Sequence, residues 1–110
     1  MTGDKNKVDH KFWQTIEKDL HNLENVIVEK PAHGILTACQ GLAHKRHGHK
    51  LKKHEAGEWG KKNLPRKFMN LIDDALVELA GTYEKIVWNT RELNTFVQYV
   101  LNELEIVGEV

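Results

Sequence analysis

HKRHGHKLKKHEAGEWGKKNLPRK, residues 44–67, is the stretch on which the reading of this fold turns. It carries nine Lys or Arg against two acids, Glu55 and Glu58, adds His44, His47, His49 and His54, and sets Trp59 between Gly57 and Gly60. The 110-residue chain has zero formal charge, so the seven-charge surplus here is matched by an equal deficit elsewhere. Between Gly48 and Leu64 no apolar period survives, and three glycines among lysines predict a solvated basic loop over 48–63. Irregular segments of that length in a small domain are commonly functional.

Outward from this loop, the sequence reads as helices. On the N-terminal side, Pro31 suits a first helical turn, and Ala32, Ile35, Leu36, Cys39, Leu42 and Ala43 gather on one side of a helix over 32–47 that Gly48 stops. His33, Gln40, His44 and His47 then share its polar side. Before it, Asp9 caps a helix over 9–29, with Phe12, Trp13, Ile16, Leu20, Leu23 and Ile27 on one stripe. On the C-terminal side, Phe68, Ile72, Ala75, Leu76, Leu79, Tyr83, Ile86 and Val87 predict a helix over 64–88, with a possible kink at Gly81. Asn89 and Glu92 have capping-box spacing and open a last helix over 90–107, with Leu93, Phe96, Val97, Val100, Leu101 and Leu104 as its seam. The expected fold is all-α, one domain over 1–110, an antiparallel four-helix bundle with the basic loop between helices two and three.

Much chemistry is absent from the sequence. There is no serine, no phosphate-binding glycine loop and no Glu-x-x-His pair, and Cys39, the single cysteine, falls among apolar residues. The acids Asp73, Asp74, Glu78, Glu84, Glu92, Glu103 and Glu105 lie off or at the edge of the apolar arcs, which argues against an inward-facing di-metal site, and together with Glu109 they make this part of the chain acidic. No apolar run approaches the roughly eighteen residues of a membrane span, and the polar start of the chain is unlike a secretory signal, so a cytoplasmic protein that makes no membrane contact is expected.

These readings predict a non-enzymatic protein without a cofactor, binding the backbone of DNA or RNA, as a possible subunit of a nucleoprotein assembly. Lys45, Arg46, Lys50, Lys52, Lys53, Lys61, Lys62, Arg66 and Lys67 are the expected phosphate contacts, and Trp59 a platform for an unpaired base. Two alternatives stand beside this. The acidic helices suit a basic protein partner, an inhibitor role or head-to-tail homo-oligomers; His44, His47, His49 and His54 form a weaker candidate metal site. Ala43-His44-Lys45-Arg46-His47-Gly48 also resembles the motif of histidine phosphotransfer domains, with His47 where those carry Lys, and the resemblance implies phosphoryl acceptance by His44.

Overall fold

The computed structural model describes residues 9–81 and 85–106; Tyr83, Glu84 and Glu109 of the sequence reading lie outside them. Within the described residues the chain is all-helical, without a strand: α1 His10–His21, α2 Leu23–Glu29, α3 Pro31–His47, α4 Lys53–Asn63, a 3-10 turn Arg66–Phe68, α5 Met69–Leu79 and α6 Thr90–Leu104.

The first helix starts where expected. Asp9 accepts hydrogen bonds from the backbone N–H groups of Lys11 and Phe12, at 2.9 and 3.2 Å, and so satisfies two otherwise orphaned donors. The expected single helix over 9–29 divides at Asn22, which serves as both the end of α1 and the cap of α2. Its side-chain oxygen accepts from Asn25 Nδ2 at 2.8 Å, a side-chain contact across the first turn of α2. The apolar stripe survives the break, because Ile16, Leu20, Leu23 and Ile27 are all buried.

Helix α3 is the spine of the molecule and packs against α1, α2, α4, α5 and α6. The two-sided reading of this helix is corrected here. Every residue from Gly34 to His44 is buried, Gln40 and His44 included, so α3 has no solvated face along that length. Helices enclosed on all sides are apolar all round, and this one achieves enclosure largely with small residues: Gly34, Thr37, Ala38, Cys39, Gly41 and Ala43. A Cβ at Gly34 would stand 3.0 Å from Ile27 Cα, and one at Gly41 would stand 2.8 Å from Leu20 Cδ1. Gly48 closes α3 in the left-handed conformation, φ 73°, its N–H bonded to the His44 carbonyl at 2.7 Å.

The largest difference from expectation is at 48–63. Only residues 48–52 are non-helical, and Lys53–Asn63 form α4. Glu55 at the third helical position accepts from the Lys52 backbone N–H at 2.9 Å, which fixes the start. Its glycines are contact points and do not act as breakers. A Cβ at Gly57 would lie 2.5 Å from Leu76 Cδ2 and 2.9 Å from Leu36 Cδ2, and a Cβ at Gly60 would lie 2.9 Å from Cys39 Sγ. Bare backbone on this face lets α4 settle onto α3 and α5 at a distance no larger residue permits. The apolar period is missing because Ala56, Gly57 and Gly60, the buried residues of α4, contribute so little side chain.

Helix α5 ends at Leu79, followed by Gly81 at φ 75°, and residues 85–89 are not helical, so the expected helix over 64–88 is shorter and begins with a 3-10 turn. Val87 is accordingly 89% exposed. Asn89 caps α6 as expected by accepting from Glu92 N–H at 3.0 Å, and Phe96 meets the edge of Phe68 at 5.1 Å in the core. α6 ends at Leu104, short of the expected 107.

Placing a methyl group at Gly57 therefore forces a displacement of Leu76 and Leu36. Gly57→Ala is expected to destabilise the protein by about 1–3 kcal/mol in urea unfolding, although alanine by itself favours helix by about 1 kcal/mol. An unchanged or more stable variant would contradict the packing described.

Candidate functional site

Two regions concentrate chemistry. The first joins the end of α3 to α1, α4 and α6, and holds most of the residues the sequence nominates. His44 is fully buried, with Phe12 and Trp13 against its ring at centroid distances of 4.7 and 6.4 Å. Its Nε2 accepts from the Asp9 backbone N–H at 2.8 Å, and its Nδ1 pairs with the His49 carbonyl at 3.0 Å as donor. One neutral tautomer satisfies both bonds. His44 therefore ties the start of α1 to the turn after α3, and with both nitrogens engaged and no exposed surface it is neither the phosphoryl acceptor implied by the motif resemblance nor an available metal ligand.

The remaining histidines do not assemble a metal centre. His47 and His49 lie with their rings tilted at 5.1 Å, while His47 also meets the edge of Trp59 at 5.8 Å. Among the described residues no group of three or more His, Cys, Asp or Glu converges, so the proposed set of His44, His47, His49 and His54 is corrected.

Four of the nine cations of this region are held by internal hydrogen bonds or ion pairs. Lys45 donates to the Leu104 carbonyl at 2.8 Å with Glu105 at 4.0 Å, and Lys50 pairs with Asp9 at 2.8 Å. Arg46 donates to Tyr99 Oη at 3.0 Å and to Glu103 at 2.8 Å, with its guanidinium 5.7 Å from the centre of the Trp59 ring. Burial works against the Arg46 charge, but the bonds to Tyr99 and Glu103 outweigh it and push its pKa up. Lys61 bonds Asp73 at 2.9 Å, and that bond raises its pKa against a smaller desolvation cost. Trp59 is half-buried and already carries Arg46 and His47 against its ring. Lys52, Lys53, Lys62, Arg66 and Lys67 have no acidic partner among the described residues. Cys39 is sealed in the core, where desolvation pushes its thiol up to about 12 and makes it a poor nucleophile.

The second region was not singled out by sequence reasoning. A pocket of about 530 Å³ opens where the α2–α3 junction, the first residue of α4 and the last turn of α5 meet. Glu29, Lys30, Pro31, Ala32, His33, Lys53, Glu78 and Leu79 line it. His33 is fixed by Asp19 Oδ2 at 2.8 Å, whereas Glu29 and Glu78 have no ion-pair partner among the described residues. Leu79, 46% exposed, adds an apolar surface. Two free carboxylates, two ammonium groups and an apolar wall thus face one space. The available signal was faint: Glu29 and Glu78 are exposed acids on separate helices, joined only by the tertiary fold.

A family model for the C-terminal domain of aminoglycoside adenylyltransferase matches residues 6–103. The chain belongs to this family. No curated protein and no solved structure matches it. The family is one of enzymes, so the expectation of a non-enzymatic protein is corrected: this adenylyltransferase-family chain is enzyme-related. The sequence reading missed this because it looked for short catalytic motifs, and these residues contain none that it recognised. No helix among the described residues of this family member is long and apolar enough to cross a membrane.

The Asp9 carboxylate, which joins the α1 cap to Lys50, has a titration consequence. The Lys50 hydrogen bond, helped by those from Phe12 and Lys11, lowers its pKa from the ordinary 3.8 to about 2. A group depressed in the folded state stabilises fully above its unfolded pKa and loses that contribution as pH falls through the folded value. In melting curves, Asp9→Asn, which keeps a capping side chain but loses the pair, is expected to lie below the parent protein above pH 3.8 and to converge with it as pH approaches about 2. A pH-independent gap would contradict this role.

Proposed function

We propose that this chain supplies the acceptor-holding helical part of an adenylyltransferase, with an aminoglycoside seated in the pocket between Glu29 and Glu78. The observation that carries the reading is the pairing of a family match over residues 6–103 with a pocket whose two carboxylates are free to meet ammonium groups. Aminoglycosides are polycations with many hydroxyls, and Asp or Glu accepts charge-assisted hydrogen bonds from ammonium donors. Adenylyl transfer joins such an acceptor hydroxyl to the α-phosphorus of a nucleoside triphosphate, with pyrophosphate leaving. The reaction therefore brings a polycation beside a polyanion, and a lining that also contains Lys30 and Lys53 is compatible with both.

The chain's own contribution under this reading is binding and orientation. Phosphoryl-type transfer depends on positioning together with metal-held phosphates. Because the described residues gather no cluster of three carboxylates or imidazoles, the phosphate-activating groups are assigned to a partnering catalytic domain. A polyanion-binding role through the basic region has less behind it, since Lys45, Arg46, Lys50 and Lys61 are already engaged within the molecule.

Titration of the isotope-labelled chain with kanamycin, followed by amide chemical shifts, tests the reading. Saturable shifts confined to residues 29–33, 53 and 78–79 are expected. Glu29→Gln and Glu78→Gln should each weaken binding by about tenfold at low salt, the scale of one charge-assisted contact. No saturable shift, or shifts unaffected by both substitutions, would overturn the proposal.

A further inference from the structure

A smaller cavity, of about 250 Å³, lies between the 3-10 turn with the start of α5 and the first two turns of α6. It shares no lining residue with the pocket described above. Phe68 and Leu71, both buried, provide an apolar floor, and Lys67 and Arg91 contribute cations from two different elements. Neither cation has an acidic ion-pair partner among the described residues, and Lys67 Nζ stands 5.3 Å from the centre of the Phe68 ring. Arg91 and Thr95 are one turn apart on α6, with the Thr95 hydroxyl bonded to the Arg91 carbonyl at 3.0 Å. Glu92 is the one acid in the lining, so the cations outnumber it.

We propose that this cavity binds a small organic anion, its carboxylate or phosphate held between Lys67 and Arg91 and its apolar body laid on Phe68 and Leu71. Two cations lining one space are a match for an anion, and the Arg fork offers paired donors that fit a carboxylate or phosphate edge. The positive end of α6 adds to the same field. The volume falls below the usual range for drug-sized ligands, about 300–1,000 Å³, which points to a compact molecule carrying a single aromatic or branched group. Glu92 reduces the net positive field, so affinity depends on the apolar floor as well as on charge.

The experiment is an amide-shift titration of the full chain at low salt with benzoate, phenyl phosphate and benzyl alcohol. Benzoate or phenyl phosphate is expected to shift residues 66–71 and 90–95 saturably, with benzyl alcohol weaker by about fivefold or more. Which of the two anions binds tighter identifies the preferred head group. Arg91→Gln and Lys67→Gln, both on exposed side chains, should each cost about fivefold or more in affinity while far-UV circular dichroism stays unchanged. Absence of saturable shifts, equal binding of benzyl alcohol, or indifference to Arg91→Gln would overturn the inference. Kanamycin binding at Glu29 and Glu78 involves none of these residues, so the two proposals fail separately.

Discussion

The constraint on which the structure depends is the enclosure of α3. A helix touched by α1, α2, α4, α5 and α6 cannot carry large side chains in every direction, because neighbouring helices then sit too far away to close a dense core. The chain meets this by alternating anchors such as Ile35, Leu36 and Leu42 with Gly34, Ala38, Gly41 and Ala43. The same device recurs on α4, where Gly57 and Gly60 bring backbone against Leu36, Cys39, Ile72 and Leu76. Of the polar side chains drawn into this interior, His44 is answered by Asp9 and His49 and Gln40 by the Leu51 carbonyl at 2.9 Å, while the Thr37 hydroxyl has no hydrogen-bond partner among the described residues. The bonds to the His49 and Leu51 carbonyls hold the turn between α3 and α4 in place.

How legible this was in the sequence depends on how each helix buries its residues. Helices α1, α2 and α6 bury one stripe of large apolar side chains, and both the stripe and the capping residues Asp9 and Asn89 can be read directly. The fully buried positions of α4 are Ala56, Gly57 and Gly60, so a method that follows large apolar residues finds no period and sees glycines and lysines as loop. Helix α3 fails in the opposite sense: with nearly every position buried, assigning it a polar side from Gln40 and His44 mistook satisfied interior groups for solvated ones. The break at Asn22 and the end of α5 at Leu79 were hidden because the apolar spacing runs on beyond them.

The electrostatic pattern has a similar lesson. Local charge density over 44–67 was visible, but its meaning depended on partners far along the chain, such as Glu103 for Arg46 and Asp73 for Lys61. Part of that density clamps the helices together, with Arg46 joining the end of α3 to α6 and Lys61 joining α4 to α5. The pocket at Glu29 and Glu78 was invisible for the same reason, since its two carboxylates come together only through the packing of α2, α3 and α5 around the spine.

The most direct test of this account is native-state amide hydrogen exchange across residues 53–63. Docked through Gly57 and Gly60 on a buried spine, the amides from Gly57 to Lys61 should be protected to a degree close to those at the centre of α3 and should open with them. Exchange at the rate of an unstructured chain over the same residues, with α3 still protected, would show that the basic segment is a solvated loop and that the enclosure of α3 is not what organises this molecule.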